Sequence, residues 1–174
     1  IDGGAGADTM QGGIDSTVYV VENVGDVVVE NAAGGTDEVR ASVSYTLSGN
    51  VENLTLTGSA AINATGNALD NTLDGGSGAD AFSDGGIAKT LVGGAGNDTL
   101  AGGANGAAGD TVSYADATAR VTVSLATTSA QNTGTSTGSD VLSGFENLEG
   151  SAFADQLTGS TGNNVILGGA GADR

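Results

Sequence analysis

Aspartates recur at one place in a glycine-rich nonapeptide of this 174-residue chain: Gly, Gly, any, Gly, any, Asp, any, apolar, any. Full copies begin at Gly3 (GGAGADTMQ), Gly75 (GGSGADAFS) and Gly93 (GGAGNDTLA), and another starts at Gly168. Glycines at the first, second and fourth places permit positive φ and close backbone approach, so one tight turn can aim several carbonyl oxygens at a point. The sixth-place carboxylate completes an oxygen cage for a hard cation such as calcium. The candidate ligands are the side chains of Asp8, Asp26, Asp80, Asp98, Asp110, Asp155, Asp173 and Asn164. The turn backbones at Gly4, Gly6, Gly76, Gly78, Gly94, Gly96, Gly169 and Gly171 join them.

Composition points the same way. Twenty-one Asp and Glu against four Lys and Arg leave a net charge of −17, a self-repulsion that opposes compaction until something neutralises it. Four cations assemble no basic patch for nucleic acid. The acids are scattered singly, unlike an acidic tail. There is no Cys, which excludes disulfides and thiolate metal sites, and no His for acid–base work. No apolar run approaches the ~18 residues of a membrane span, and no signal-peptide pattern opens the sequence.

The elements that must position these aspartates follow from the eighth place. A lone apolar residue there points inward from a very short strand. One such strand buries nothing alone, so copies must stack as a solenoid. Leu73, Phe82, Leu91 and Leu100 are expected to form internal ladders that alternate between two sheets.

On these residues the chain resembles the RTX (repeats-in-toxin) family of hemolysin-type calcium-binding proteins. The resemblance implies an all-β, right-handed parallel β-roll or β-solenoid, with two nonapeptides per coil and several calcium ions between turns stacked on one side. Turns that share an ion are then 18 residues apart, as are Asp80 and Asp98 (98 − 80), Asp155 and Asp173 (173 − 155), and Asp8 and Asp26 (26 − 8). It also implies export, unfolded, by type I secretion from a calcium-poor cytosol, with folding outside the cell.

The register continues in degenerate copies. Gly66 opens one with Asn71 and Leu73, Gly150 one with Asp155 and Leu157, and Gly159 one with Asn164 and Ile166. The stretch GGANGAAGD from Gly102 carries about three extra residues, a bulged turn that places Asp110 before Val112. Val39, Ala41, Val43, Tyr45 and Leu47 alternate with polar residues, which predicts one long half-buried strand, and Val121 to Leu125 repeats the idea. ATTSAQNTGTSTGSD (126–140) is small and polar and reads as a protruding loop. No helix is expected. Residues 1–174 read as a single roll of two related halves, about 1–101 and 102–174. Both ends fall inside a repeat, which suggests a segment of a longer array and open edges that seek self-association or continuation.

Other patterns carry less. DNTLDGG from Asp70 echoes an EF-hand loop but has Ala81 at the twelfth place, where that loop needs Glu. The Gly-x-Gly pairs open no helix, so they make no phosphate site. Glycosylation sequons at Asn53, Asn63 and Asn97 read as chance matches. No catalytic nucleophile pattern is present, and the acids are better explained as ligands than as a glycosidase pair. The expected function is a calcium-binding structural module of a secreted or cell-surface bacterial protein of the surface-layer, filament or adhesin type. The alternative is the export and folding module of a secreted protease, lipase or toxin. An ice-binding face would need a regular outward Thr ladder, and LTLTG offers only Thr55 and Thr57.

One copy breaks the rule. In DGGIAKTLV, from Asp84, Lys89 takes the ligand place, and its neighbour one coil earlier is Asn71 (89 − 71 = 18). That side then has no carboxylate pair and no calcium. The lysine either bonds turn carbonyls in place of a cation or reaches out to solvent; the sequence leaves both open.

Overall fold

The structure, a computed structural model, describes residues 1–32, 34–83, 89–103 and 109–174. Every regular element among them is a short strand. The first six are β1 (Thr9–Gln11), β2 (Val18–Val21), β3 (Val27–Val29), β4 (Glu38–Ala41), β5 (Tyr45–Thr46) and β6 (Asn53–Leu56). Next come β7 (Asn63–Thr65), β8 (Asn71–Asp74), β9 (Ala81–Ser83), β10 (Lys89–Val92), β11 (Thr99–Ala101) and β12 (Thr111–Ser113). The last are β13 (Thr122–Ser124), β14 (Gln131–Gly134), β15 (Gly138–Ser143), β16 (Asn147–Glu149), β17 (Gln156–Thr158) and β18 (Val165–Leu167).

The even-numbered strands other than β14 stack in the order β18-β16-β12-β10-β8-β6-β4-β2. The opposite wall runs β14-β15-β11-β9-β7-β5, with the pairs β1-β3 and β13-β17 alongside. Among the described residues all strand pairings are parallel except β14 with β15. Parallel neighbours that belong to successive coils, joined through a strand of the other wall, make a β-solenoid. The 18-residue step holds at Thr9↔Val27, Asn71↔Lys89, Ala81↔Thr99 and Asn147↔Val165.

Apolar side chains form the internal ladders that the eighth places require. Tyr19, Val39, Leu54, Leu73, Leu91, Val112 and Leu148 stand directly above one another through seven coils, all buried. Ala64, Phe82, Leu100 and Leu142 form the facing ladder. So Leu73 and Leu91 lie on one wall and Phe82 and Leu100 on the other. The 20-odd buried apolar side chains compensate for the scarcity of aromatics, because each rung needs only one medium-sized residue per wall.

Three departures have physical causes. The alternating stretch 39–47 is two strands, β4 and β5, in opposite walls. A bend at Ser42 and Val43 turns the chain through the corner while Val39, Ala41 and Leu47 stay buried. The segment 126–140 does not simply protrude. Its second half folds back as the β14–β15 hairpin, and β15 enters the wall beside β11 with Leu142 over Leu100. Thr133, Thr137 and Asp140 are buried there, because a polar sequence can pack when its hydroxyls bond each other. The three extra residues before Asp110 show in the register Thr90↔Thr111, a step of 21 (111 − 90), although 104–108 of that turn lie outside the described residues.

Ladder packing sets a testable cost. Replacing fully buried Leu91 by Ala removes contacts to both Leu73 and Val112 rungs. Denaturant unfolding in saturating calcium is expected to show a loss of about 2–5 kcal/mol, whereas Ile14→Ala, at an exposed position, changes stability by less than about 0.5 kcal/mol.

Candidate metal sites

At many strand entries the backbone amide finds no acceptor in its own coil. A carboxylate one coil further on accepts it. On the edge leading into β1, β7, β9, β11, β13 and β17, the Asp8 N–H donates to Asp26 Oδ1 (3.0 Å), Ile62 N–H to Asp80 Oδ1 (3.0 Å) and Asp80 N–H to Asp98 Oδ1 (2.8 Å). Asp98 N–H donates to Asp140 Oδ1 (3.0 Å), Val121 N–H to Asp155 Oδ1 (2.8 Å) and Asp155 N–H to Asp173 Oδ1 (2.9 Å). On the edge leading into the eight-stranded wall, Thr17 N–H donates to Asp37 Oδ1, Asp37 N–H to Glu52 Oε2, Lys89 N–H to Asp110 Oδ1 and Asp110 N–H to Glu146 Oε2, at 2.7–3.0 Å. All three expected 18-residue pairs are therefore stacked neighbours.

The glycines serve distinct ends. A β-carbon at first-place Gly93 would stand 2.6 Å from Asp98 Oδ2, and one at Gly168 2.5 Å from Asp173 Oδ2. The first glycine thus makes room for its own turn's carboxylate to fold back. Second-place Gly4, Gly76, Gly94 and Gly169 have φ of 70–84°, which other residues rarely adopt. Fourth-place Gly6, Gly96 and Gly171 are also positive, while Gly78 is not; a β-carbon at Gly78 would instead meet Ala60 O at 2.2 Å. Across coils the Gly78 carbonyl oxygen would lie 1.8 Å from a β-carbon at Gly96. Turn carbonyls of one coil therefore press against the turn backbone of the next.

Each carboxylate that accepts such an amide spends one oxygen on backbone. The second oxygen separates them into classes. Oδ2 of Asp8, Asp37, Asp80 and Asp98 is buried without a hydrogen-bond donor. Burial pushes the Asp98 carboxyl up from 3.8 to about 7, against the backbone bond from Asp80 and with the charges of Asp140 and Asp80 adding to it. Asp80, Asp140 and Asp37 are also raised, chiefly by burial. These are anions short of a counter-charge, and calcium fits them: a hard cation taking one bare carboxylate oxygen and nearby turn carbonyls. Among the described residues no three acidic side chains converge, so carbonyls must supply most of any coordination shell.

Other candidates are occupied by protein donors. Asp155 Oδ2 accepts from Ser151 N–H (2.6 Å) and its hydroxyl. Asp26 Oδ2 accepts from Glu22 and Asn23 N–H, and its carboxyl is lowered chiefly by the Asp8 backbone bond. Asn164 accepts from Ser160 N–H and donates to Glu146 O (2.9 Å). Asp110 is fully buried at its stacked place, and Asp173 is exposed on the last turn.

The sequence reading missed Asp140, Asp37, Glu52 and Glu146. The signal for Asp140 was present: TSTGSDVLS from Thr135 keeps Gly138 fourth, Asp140 sixth and Leu142 eighth. Asp140 Oδ2 accepts from the Tyr114 and Thr133 hydroxyls (3.0 and 2.8 Å). Of the two alternatives for Lys89, the structure has the first. The side chain is 2% exposed and its ammonium donates to Asn67 O (3.0 Å) and Leu69 O, in the turn one coil back.

Two outcomes follow. Gly96→Ala places a methyl on the Gly78 carbonyl at positive φ, so it is expected to lower stability in calcium by at least about 1 kcal/mol in denaturant melts. In calcium-depleted buffer, raised carboxyl pKa values contribute stability that is complete below about pH 4 and lost as pH rises through about 7. Circular dichroism should therefore show more β-structure near pH 4.5 than near pH 8, and Asp98→Asn should flatten the change between pH 5 and 7.

Comparison with known proteins places these turns. The model of the RTX calcium-binding nonapeptide repeat matches four copies, over residues 1–18, 90–105 and 149–174. The Gly75 copy falls outside those stretches yet stacks in the same register as the Gly93 copy. A stretch of 70 residues is 43% identical to the Endo-1,3-1,4-beta-glycanase ExsH of Rhizobium meliloti (strain 1021); it covers 40% of this chain and 15% of that protein. No solved structure matches the chain. RTX nonapeptide repeats bind calcium ions, which is the cation that the bare oxygens of Asp8, Asp80 and Asp98 suit. The chain carries RTX calcium-binding repeats, stacked as a parallel β-solenoid.

Proposed function

We propose that the chain is a structural module of a secreted protein that calcium folds outside the cell. The single observation that carries this is the set of buried, donorless Oδ2 atoms at Asp8, Asp80 and Asp98 on nonapeptide turns. Without calcium these carboxylates and the −17 net charge oppose stacking, and the 32 glycines keep their backbone entropy. With calcium, the bare oxygens and facing carbonyls share an ion between coils. Four independent sites at tenfold saturation would contribute about 6 kcal/mol, comparable to a domain's whole stability.

The ligand assignment is Asp80 with Asp98, and Asp8 with Asp26, each with the backbone of the adjoining glycine turns, Gly76, Gly78, Gly94 and Gly96 or Gly4 and Gly6. Asp8 with Asp26, and Asp155 with Asp173 next to Gly169 and Gly171, are the weaker sites, because Glu22 and Asn23 already bond Asp26 and Ser151 already bonds Asp155. Asp110 and Asn164 complete the ladder of the other edge. Residues 1–174 act as one module, since β10 pairs with β12 across the boundary of the two related halves.

In the parent protein the solenoid serves as a stiff element of a surface layer, filament or adhesin. The continuous eight-stranded wall from β2 to β18, each coil seated on the next, supports this. A second reading is favoured by the likeness to the Rhizobium glycanase: a repeat segment attached to a secreted hydrolase, which it helps to export and fold.

Circular dichroism in EGTA and then in calcium tests the first step. A coil-to-β change on adding calcium, reversed by EGTA, is expected; a calcium-insensitive spectrum contradicts the reading. Asp98→Asn keeps the acceptor for Asp80 N–H but removes the charge, and calorimetry should show calcium affinity of that site weakened by about tenfold or more.

A further inference from the structure

Lys89 belongs to a pattern. On the edge leading into the eight-stranded wall, side-chain N–H groups reach back one coil to turn carbonyls. Asn67 Nδ2 donates to Ser48 O (2.6 Å) and Val51 O (2.7 Å), and Asn71 Nδ2 donates to Val51 O (3.1 Å). The Lys89 ammonium then donates to Asn67 O and Leu69 O. Two successive gaps, 48–51 to 67–71 and 67–71 to 89, are thus closed by amide and ammonium donors on carbonyls that a cation would otherwise gather.

The opposite edge of the same coils also lacks paired acids. The register Tyr45↔Ala64 and Asn63↔Ala81 puts Val43, Ile62 and Asp80 in line at the ligand place, so Asp80 has no carboxylate below it. Acid pairs lie at its margins, Asp37 with Glu52 just before β6 and Asp80 with Asp98 beyond β7. Within it, Leu54, Leu73 and Leu91 face Ala64 and Phe82, all buried.

We propose that β6, β7, β8 and β10 form a calcium-independent core of the solenoid, stitched by Asn67, Asn71 and the built-in cation of Lys89, from which the calcium-dependent coils extend in both directions. The proposal rests on the calcium reading of the flanking turns. Its physical basis is charge. A buried ammonium on two carbonyls brings its own positive charge, needs no ion from solution and adds none to the acid repulsion. The coils on either side bury bare carboxylate oxygens and must wait for a metal. Calcium then has a template to extend, so the step that a solenoid finds hardest, closing its first coils, precedes metal binding.

Hydrogen exchange read by mass spectrometry on the whole chain tests this, in EGTA and in calcium chloride. In EGTA, amides of β6, β8 and β10 should exchange at least about tenfold more slowly than those of β3, β11 and β17; calcium should protect all of them. Lys89→Met keeps the stem and removes the ammonium; it should abolish the EGTA protection while calcium still folds the flanking coils by circular dichroism. Lys89→Asp converts the rung to a carboxylate one and should raise the calcium taken up by one ion per chain in titration calorimetry. Uniform exchange in EGTA, or protection unchanged in Lys89→Met, overturns the proposal while leaving calcium folding intact. Failure of the wild-type chain to take up calcium overturns the reading on which it rests.

Discussion

The hydrogen bond from a backbone N–H to the carboxylate one coil further on governs this molecule. A parallel solenoid built from three-residue strands has many strand entries, and each leaves an amide at the corner that needs an acceptor. A side-chain carboxylate reaches it only if the corner is tight, and a tight corner needs glycine: at Gly93 so that Asp98 can fold back, at Gly94 for its positive φ. The bond fixes the register between coils and buries the acid. Burial in turn creates the demand for positive charge that raises Asp98 to about 7 when no cation is present.

That demand is met in several ways along one stack. Oδ2 of Asp80 and Asp98 is left bare, without a protein donor. Asp140 uses the Tyr114 and Thr133 hydroxyls, and Asp155 uses Ser151. At Lys89 and Asn71 the side chain at the ligand place is itself a donor, bonding carbonyls directly. A solenoid with mixed rungs need not fold in one step, because each interface between coils has its own dependence on calcium and pH.

Where the nonapeptide is intact, the sequence was enough to read both fold and register, because glycine spacing, the sixth-place acid and the eighth-place apolar residue report one geometry three times. Leu73, Phe82, Leu91 and Leu100 fall on the expected walls, and the three-residue bulge before Asp110 appears in the register. Legibility failed where tertiary context decides. The alternation from Val39 to Leu47 survives a corner, so period alone could not reveal the break between β4 and β5. Asp140 was hidden because Thr135 and Ser136 replace two glycines and a hairpin intervenes, giving a step of 42 (141 − 99) between paired strands. The fate of Lys89 was undecidable from sequence, since a long side chain can bond inward or snorkel outward; the carbonyls of Asn67 and Leu69 settle it.

The central claim is that metal sits between turns whose stacked carboxylates keep a bare oxygen, and not where a side-chain cation already stands. Anomalous diffraction from crystals grown in saturating calcium tests this most directly. The account predicts a calcium peak between the Asp80 and Asp98 turns, with oxygen ligands at about 2.3–2.6 Å, and none between the Asn71 and Lys89 turns. An empty position beside Asp98, or a calcium peak beside the Lys89 ammonium, would contradict it.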